Sequence, residues 1–155
     1  MSSSNDIVDL NAESFSILSI LHHSKMNINK SKLKLLLYLC DEELDNKFTI
    51  FSYEKGVVGP EPVGLKKYLT ELSNKNVIQI NNRLTFGGNK KQDYDIINKN
   101  LRNKIIKYNN GDVKKLDSII KDICYEYSEI PLSNLIEMVK NKNNKYFKNN
   151  THFWY

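Results

Sequence analysis

Cysteine, proline, histidine and long apolar runs are all scarce in this sequence. Its two cysteines, Cys40 and Cys124, are too few for a disulfide framework, and each falls within an apolar helical pattern. We interpret both as reduced core residues. The longest apolar run, Leu35–Cys40, is far shorter than the ~20 residues that span a bilayer, and residues 1–6 lack the basic start and apolar stretch of a secretory signal. We therefore expect no membrane span and a cytoplasmic protein.

Residues that carry catalysis or bind metal are equally sparse. His22 and His23 are adjacent in a predicted helix, where their side chains point ~100° apart and cannot chelate one metal ion together. The loop Gly87–Lys90 lacks the Gly-Lys-Ser/Thr ending of a phosphate-binding loop. The sequence suggests no Ser-His-Asp arrangement either. We expect no enzymatic activity, no metal site and no cofactor.

The apolar residues that are present suffice for one folded domain. The chain has 155 residues, of which 40% are hydrophobic and 10% aromatic, and this composition argues against wholesale disorder. A chain of this size buries about 68–70% of its unfolded surface, so a core forms without disulfide or metal support. We expect a flexible leader over residues 1–10, a core over residues 11–92, and a C-terminal helical extension over residues 93–155 that packs as part of the same domain.

Positive charge is unevenly distributed along the chain. Residues 48–92 contain seven basic and three acidic residues, a net charge of +4 within a total of +5. Residues 131–155 contain four lysines and one glutamate, a net charge of +3. A clustered basic surface attracts polyanions by releasing their counterions. The alternative interpretation, that a composition rich in Lys and Asn merely solvates the surface, is left open by the charge alone.

Helical spacing dominates the first half of the chain. A helix is predicted over Ala12–Ser24 and a second over Ser31–Leu44, whose broad apolar arc places it at the centre of the core. Phe48–Tyr53 is predicted as a short strand or an extended segment. A third helix is predicted from Pro60 or Pro62, because proline is tolerated in the first turn, to about Asn74.

A hairpin and further helices are predicted after the third helix. Two short apolar runs within Val77–Phe86 flank Asn81 and Asn82, which tolerate the backbone of a tight turn. Residues 87–91 are predicted as a second, basic loop. Three more helices are predicted over about 95–108, over 113–127 and from Pro131 onward.

This order of elements predicts a mainly α fold with a small β-hairpin, an α+β winged helix-turn-helix core followed by C-terminal helices. In that fold the third helix enters the major groove of DNA and the tip of the hairpin contacts the backbone or minor groove. Glu61 and Glu71 count against DNA contact, because they would repel phosphates, and winged helices also serve as protein-docking modules. We expect phosphate contacts from Lys66, Lys67, Lys75, Arg83, Lys90 and Lys91, and base contacts from Thr70 and Asn74.

The stretches KLKLLLYLCDEE and FSYEKGVVGPEPVGLKKYLTELSNKNVIQI resemble the YwgA-like and Panacea (SocA-like) group of small proteins encoded on phages and mobile elements. The shared pattern is a Lys-Leu-Leu-Tyr-Leu helix, an aromatic strand that ends in Gly-Pro, and a helix that leads to a Val-Ile pair. Here the first run has one extra leucine. The matching residues are Lys34, Leu36, Leu37, Tyr38, Leu39, Phe51, Tyr53, Gly59, Pro60, Leu65, Leu69, Leu72, Val77 and Ile78.

Two functions follow from these patterns. The winged-helix interpretation predicts a DNA-binding protein without catalysis that regulates transcription or a mobile element, with double-stranded DNA as partner. The resemblance implies instead an antitoxin-like or adaptor module that acts through a protein partner. The tail residues Phe153, Trp154 and Tyr155 are candidates for docking on the chain's own core, for partner binding or for contact with a second copy. A homodimer formed through the C-terminal helices is also a prediction.

Overall fold

The chain forms helices and two small antiparallel hairpins, an α+β architecture. The computed structural model describes residues 10–44, 48–109 and 111–148. Within them, none of the helices is long and apolar enough to cross a membrane. The helices are α1 (Ala12–His23), α2 (Lys30–Leu44), α3 (Leu65–Asn74), α4 (Leu101–Tyr108), α5 (Gly111–Tyr127) and α6 (Leu132–Lys142), and the strands are β1 (Tyr53–Lys55), β2 (Pro60–Pro62), β3 (Ile78–Leu84) and β4 (Lys90–Ile96).

Helix α2 lies at the centre of the core, as its broad apolar arc predicts. Leu33, the run from Leu35 to Leu37, Leu39 and Cys40 are all buried. The helix packs against α1, α5, α6, β2 and β4, so its apolar residues are covered on several sides. Asn29 caps its first turn by accepting a hydrogen bond from the Lys32 amide at 2.8 Å.

Residues 48–52, before β1, do not form a strand, because backbone N–H groups of this segment donate to a side chain and not to a neighbouring strand. Ile50 and Phe51 are buried, and their backbone N–H groups donate to the carboxylate of Asp41 at 2.6 and 3.1 Å. The pairing that does form joins β1 to β2, with Tyr53 opposite Pro62. Because Pro62 belongs to a strand, α3 begins only at Leu65, after Gly64 in a left-handed conformation.

The hairpin turn predicted at Asn81 and Asn82 is wrong. Both residues lie inside β3, paired with β4, and the turn lies at Thr85–Asn89. Gly88, at φ 78°, supplies the left-handed residue of that turn, whereas the Asn81 amide donates to Asp93 and Asp95 at 3.0 and 2.8 Å.

Backbone pairing also places the β3–β4 hairpin beside α2. Asn29, just before α2, forms an antiparallel bridge with Asp93 of β4. Strand β4 extends to Ile96, so the helix predicted from residue 95 begins only at Leu101.

The C-terminal helices complete the core. Ile120, Cys124, Leu135 and Val139 are buried in the same cluster as α1 and α2. After α6 the chain returns to the first hairpin, where Phe147 forms a parallel bridge with Gly56.

Candidate nucleic-acid interface

Helix α3 presents the residues that the sequence predicts for DNA contact on its outer face. Leu65, Leu69 and Leu72 are buried on the inner face. Lys66, Thr70 and Asn74 recur at every fourth position, which places them in one stripe along the helix. Lys66, Lys67, Thr70, Asn74 and the following Lys75 are all exposed.

The β3–β4 hairpin carries the other three predicted contact residues. Arg83 lies directly opposite Lys91, and Lys90 lies opposite Leu84. Arg83 also has a partner within the chain, because its Nε–H donates to Asp93 Oδ2 at 3.0 Å. Burial opposes the charge of Asp93, but hydrogen bonds from Asn81 and Arg83 hold its pKa below the ordinary value. Arg83 therefore both anchors the hairpin and keeps an exposed side chain.

A groove of about 930 Å³ brings the hairpin cations together with a residue that the sequence analysis missed. Lys30, the first residue of α2, lines this groove together with Arg83, Lys90 and Lys91. In the sequence Lys30 lies between the two predicted helices, and the Asn29–Asp93 bridge brings it next to the hairpin. The polar and apolar residues that complete the lining are Asn29, Ser31, Asn82, Leu84, Thr85, Asn89, Gln92 and Leu132.

Lys30 also links the groove to α3. Burial lowers the pKa of Lys30, and the positive charges of Lys34 and Lys66 lower it further, while Glu61 acts in the opposite direction. Lys66 of α3 is therefore close enough to act on the first turn of α2. Glu61 is not free to repel a phosphate as predicted, because it forms an ion pair with Lys34 at 2.8 Å.

Most cations of this surface lack an internal counterion. Within the described ranges, none of the five predicted contact lysines has a carboxylate within 4.0 Å of its ammonium group. Helix α2 has no acidic residue in its first turn and no basic residue in its last, the reverse of what the helix dipole favours. This arrangement of charge does not stabilise the helix in the free protein. A bound polyanion would neutralise the positive charge. The five lysines are Lys66, Lys67, Lys75, Lys90 and Lys91.

A separate polar cluster contains the residue types of a catalytic triad without its geometry. Asp117 Oδ1 accepts hydrogen bonds from Ser19, from His23 Nε2 at 3.1 Å and from Arg102 at 2.8 Å. Because all three meet one carboxylate oxygen, the Ser19 hydroxyl faces the acid rather than the imidazole that would have to activate it. The cluster joins α1, α4 and α5 as a structural element. Among the described residues, no group of His, Cys, Asp or Glu could hold a metal ion.

The predicted partner-binding residues Phe153, Trp154 and Tyr155 lie outside the described residues, as does most of the predicted leader.

The chain matches no family model, no curated protein and no solved structure. The resemblance to the YwgA-like and Panacea group therefore stays a prediction.

Proposed function

We propose that this chain is a non-catalytic DNA-binding protein of the winged-helix type that regulates transcription or a mobile element. The observation that carries the proposal is the set of exposed lysines on α3 and the hairpin that have no carboxylate within 4.0 Å among the described residues, together with the groove that brings Lys30 next to the hairpin. The winged-helix interpretation gains support from the element order, since α3 leads directly into the β3–β4 hairpin. It gains further support from the Asn29–Asp93 bridge, which fixes that hairpin beside α2.

In this proposal the two parts of the surface have different roles. Helix α3 enters the major groove, where Thr70 and Asn74 reach base edges. The lysines of α3 and the cations around the groove contact phosphates, which fix the register of the protein on the duplex without reading sequence. Lys30 joins the residues that were predicted for this role from sequence.

Two further features belong to the same proposal. A cytoplasmic location agrees with Cys40 and Cys124, which are both buried and unpaired. A homodimer would let the protein read a symmetric site. The alternative function, an adaptor that acts through its aromatic tail, gains no support from the described residues, because Phe153–Tyr155 lie outside them.

Fluorescence anisotropy with random duplex DNA at two salt concentrations tests the proposal. Lys67→Glu reverses one charge on α3, and Lys90→Glu reverses one charge beside the groove. We expect each to weaken binding to every duplex ~10-fold and to reduce the salt dependence, since each lost phosphate contact lowers the slope of log K against log salt by about 0.9.

Lys114→Glu is the matched control, because it makes the same charge change at an exposed position of α5. Helix α5 packs on α1, α2 and α4, and Lys114 is not part of the proposed interface. We therefore expect this variant to bind more nearly as the parent chain does. No binding by the parent chain at low salt, or equal losses in all three variants, would exclude the proposed interface.

A further inference from the structure

The tip of the β3–β4 hairpin exposes two large apolar side chains. Phe86 is fully exposed and Leu84 is 75% exposed. Single exposed apolar residues are common on proteins, but an aromatic ring at the apex of a projecting hairpin is not covered by the fold that carries it. Nothing in the described part of the chain covers this ring, and such exposure is typical of a contact residue.

Hydrogen bonds hold the ring at the apex. The Gly88 amide donates to the Thr85 carbonyl at 2.9 Å, which closes a turn with Phe86 at its second position. The Thr85 amide donates to the Asn89 carbonyl, also at 2.9 Å. Every residue from Asn82 to Lys91 is exposed, and at ~3.3 Å per residue the tip extends ~16 Å beyond the Asn81–Asp93 pair. Phe86 thus lies at the apex of a hydrogen-bonded turn, away from the core.

The charges around the tip indicate what the ring meets. Lys90 and Lys91 have no carboxylate partner among the described residues, and Arg83 keeps a side chain that is 57% exposed. The partner therefore combines an apolar interior with negative charge on both sides. Stacked base pairs between two phosphate strands have this composition.

Resting on the DNA binding proposed above, we propose that Phe86 inserts between base pairs of the bound duplex and unstacks one step. With α3 in the major groove, the tip enters from the minor groove, where apolar wedges kink DNA. Lys90 and Lys91 hold the flanking phosphates, and Leu84 lies against the opened step. Pyrimidine–purine steps, which unstack most easily, are the preferred sites.

An anionic membrane surface has a related composition, since basic residues beside an apolar tip also suit lipid headgroups. The exposed Thr70 and Asn74 on α3 favour DNA, because their short donor and acceptor side chains suit base edges. Lipid binding is therefore an outcome of the test and not part of the proposal.

The test uses the full chain and duplexes that carry 2-aminopurine at successive pyrimidine–purine steps. Binding of the parent chain should raise 2-aminopurine fluorescence severalfold at one or more placements. Phe86→Ala should lose this rise while its affinity at low salt falls less than ~10-fold, because the phosphate contacts remain. Phe86→Leu should keep part of the rise. Tyr108→Ala, which truncates another exposed aromatic residue, should leave it unchanged.

The outcomes separate the insertion from DNA binding. Binding without any rise, or an equal rise with Phe86→Ala, overturns the insertion and leaves DNA binding intact. No binding of the parent chain to DNA overturns both. Co-sedimentation with phosphatidylserine vesicles that is lost in Phe86→Ala, together with no rise on DNA, identifies the tip as a membrane contact and overturns the insertion.

Discussion

The ring of Phe147 lies directly over Gly59. A Cβ built on Gly59 would lie 2.6 Å from Phe147 Cζ, and the backbone there has φ 123°, a conformation that favours glycine. The neighbouring Gly56 amide donates to the Tyr146 carbonyl at 3.3 Å. The C-terminal segment is therefore fixed to the first hairpin through a position where only glycine fits.

Gly59→Ala is accordingly expected to lower the free energy of unfolding by more than ~1 kcal/mol, because it combines backbone strain with a collision against a buried ring. Urea denaturation followed by circular dichroism measures this change. Gly87→Ala is the control, since a Cβ there meets nothing closer than 3.6 Å, and it should stay within ~0.5 kcal/mol of the parent chain. Equal stability of the two variants would contradict the packing of Phe147 on Gly59.

The second prediction separates stability from binding at Lys30. A positive charge at the first residue of α2 opposes the helix dipole, and the repulsion from Lys34 and Lys66 outweighs the attraction of Glu61. Lys30→Glu should therefore raise the free energy of unfolding by ~0.3–1 kcal/mol. The same change should lower DNA affinity ~10-fold, because a phosphate contact becomes a repulsion.

Urea denaturation and fluorescence anisotropy on the same preparation check both halves of this prediction. Lys30→Gln should give intermediate values in each. A variant that is less stable than the parent chain and binds DNA equally well would show that Lys30 is a structural residue, and would remove it from the interface.

Much of the helical framework could be predicted because its signals are local. The expected helices over 12–24, 31–44 and 113–127 differ from α1, α2 and α5 by at most two residues. Their apolar spacing depends only on neighbours along the chain. The α+β class follows from the same patterns.

The structural features that could not be predicted from the sequence depend on contacts between residues that are distant along the chain. Asp41 takes the amides of Ile50 and Phe51, nine and ten residues away, and so decides between the two predictions for this segment, a short strand or an extended segment, in favour of the extended one. Asn81 is suited to a turn, but its amide hydrogen bonds to β4 keep it within a strand. Lys30 joins the candidate site because Asn29 pairs with Asp93, a pairing that no local pattern encodes.

The last prediction concerns acid sensitivity of the cluster that joins α1, α4 and α5. Burial opposes the charge of Asp117, but hydrogen bonds from His23, Ser19 and Arg102 hold its pKa well below the ordinary value of 3.8. Burial, then Arg102 and His23, lower the pKa of His22 from 6.5, while Asp117 partly offsets them. Both groups therefore bind protons more readily in the unfolded chain, so each lowers stability as the pH falls.

Acid should therefore lower the free energy of unfolding in two stages. Each group begins to destabilise the folded protein when the pH falls below the pKa that the group has in the unfolded chain. The loss of stability caused by His22 begins as the pH drops below 6.5. The loss of stability caused by Asp117 begins near pH 3.8. Urea denaturation at pH 7, 5 and 3 measures both stages. His22→Gln should reduce the loss between pH 7 and 5.

Asp117→Asn should lower the free energy of unfolding at pH 7 by ~1–3 kcal/mol, because Arg102 loses its charged acceptor. Its deficit relative to the parent chain should shrink at pH 3, where the native carboxylate begins to lose its advantage over the unfolded one. The isosteric change keeps the packing of the cluster, so the effect isolates the charge. A deficit that stays constant from pH 7 to pH 3 would mean that Asp117 contributes through hydrogen-bond geometry alone and that its pKa is not lowered by folding.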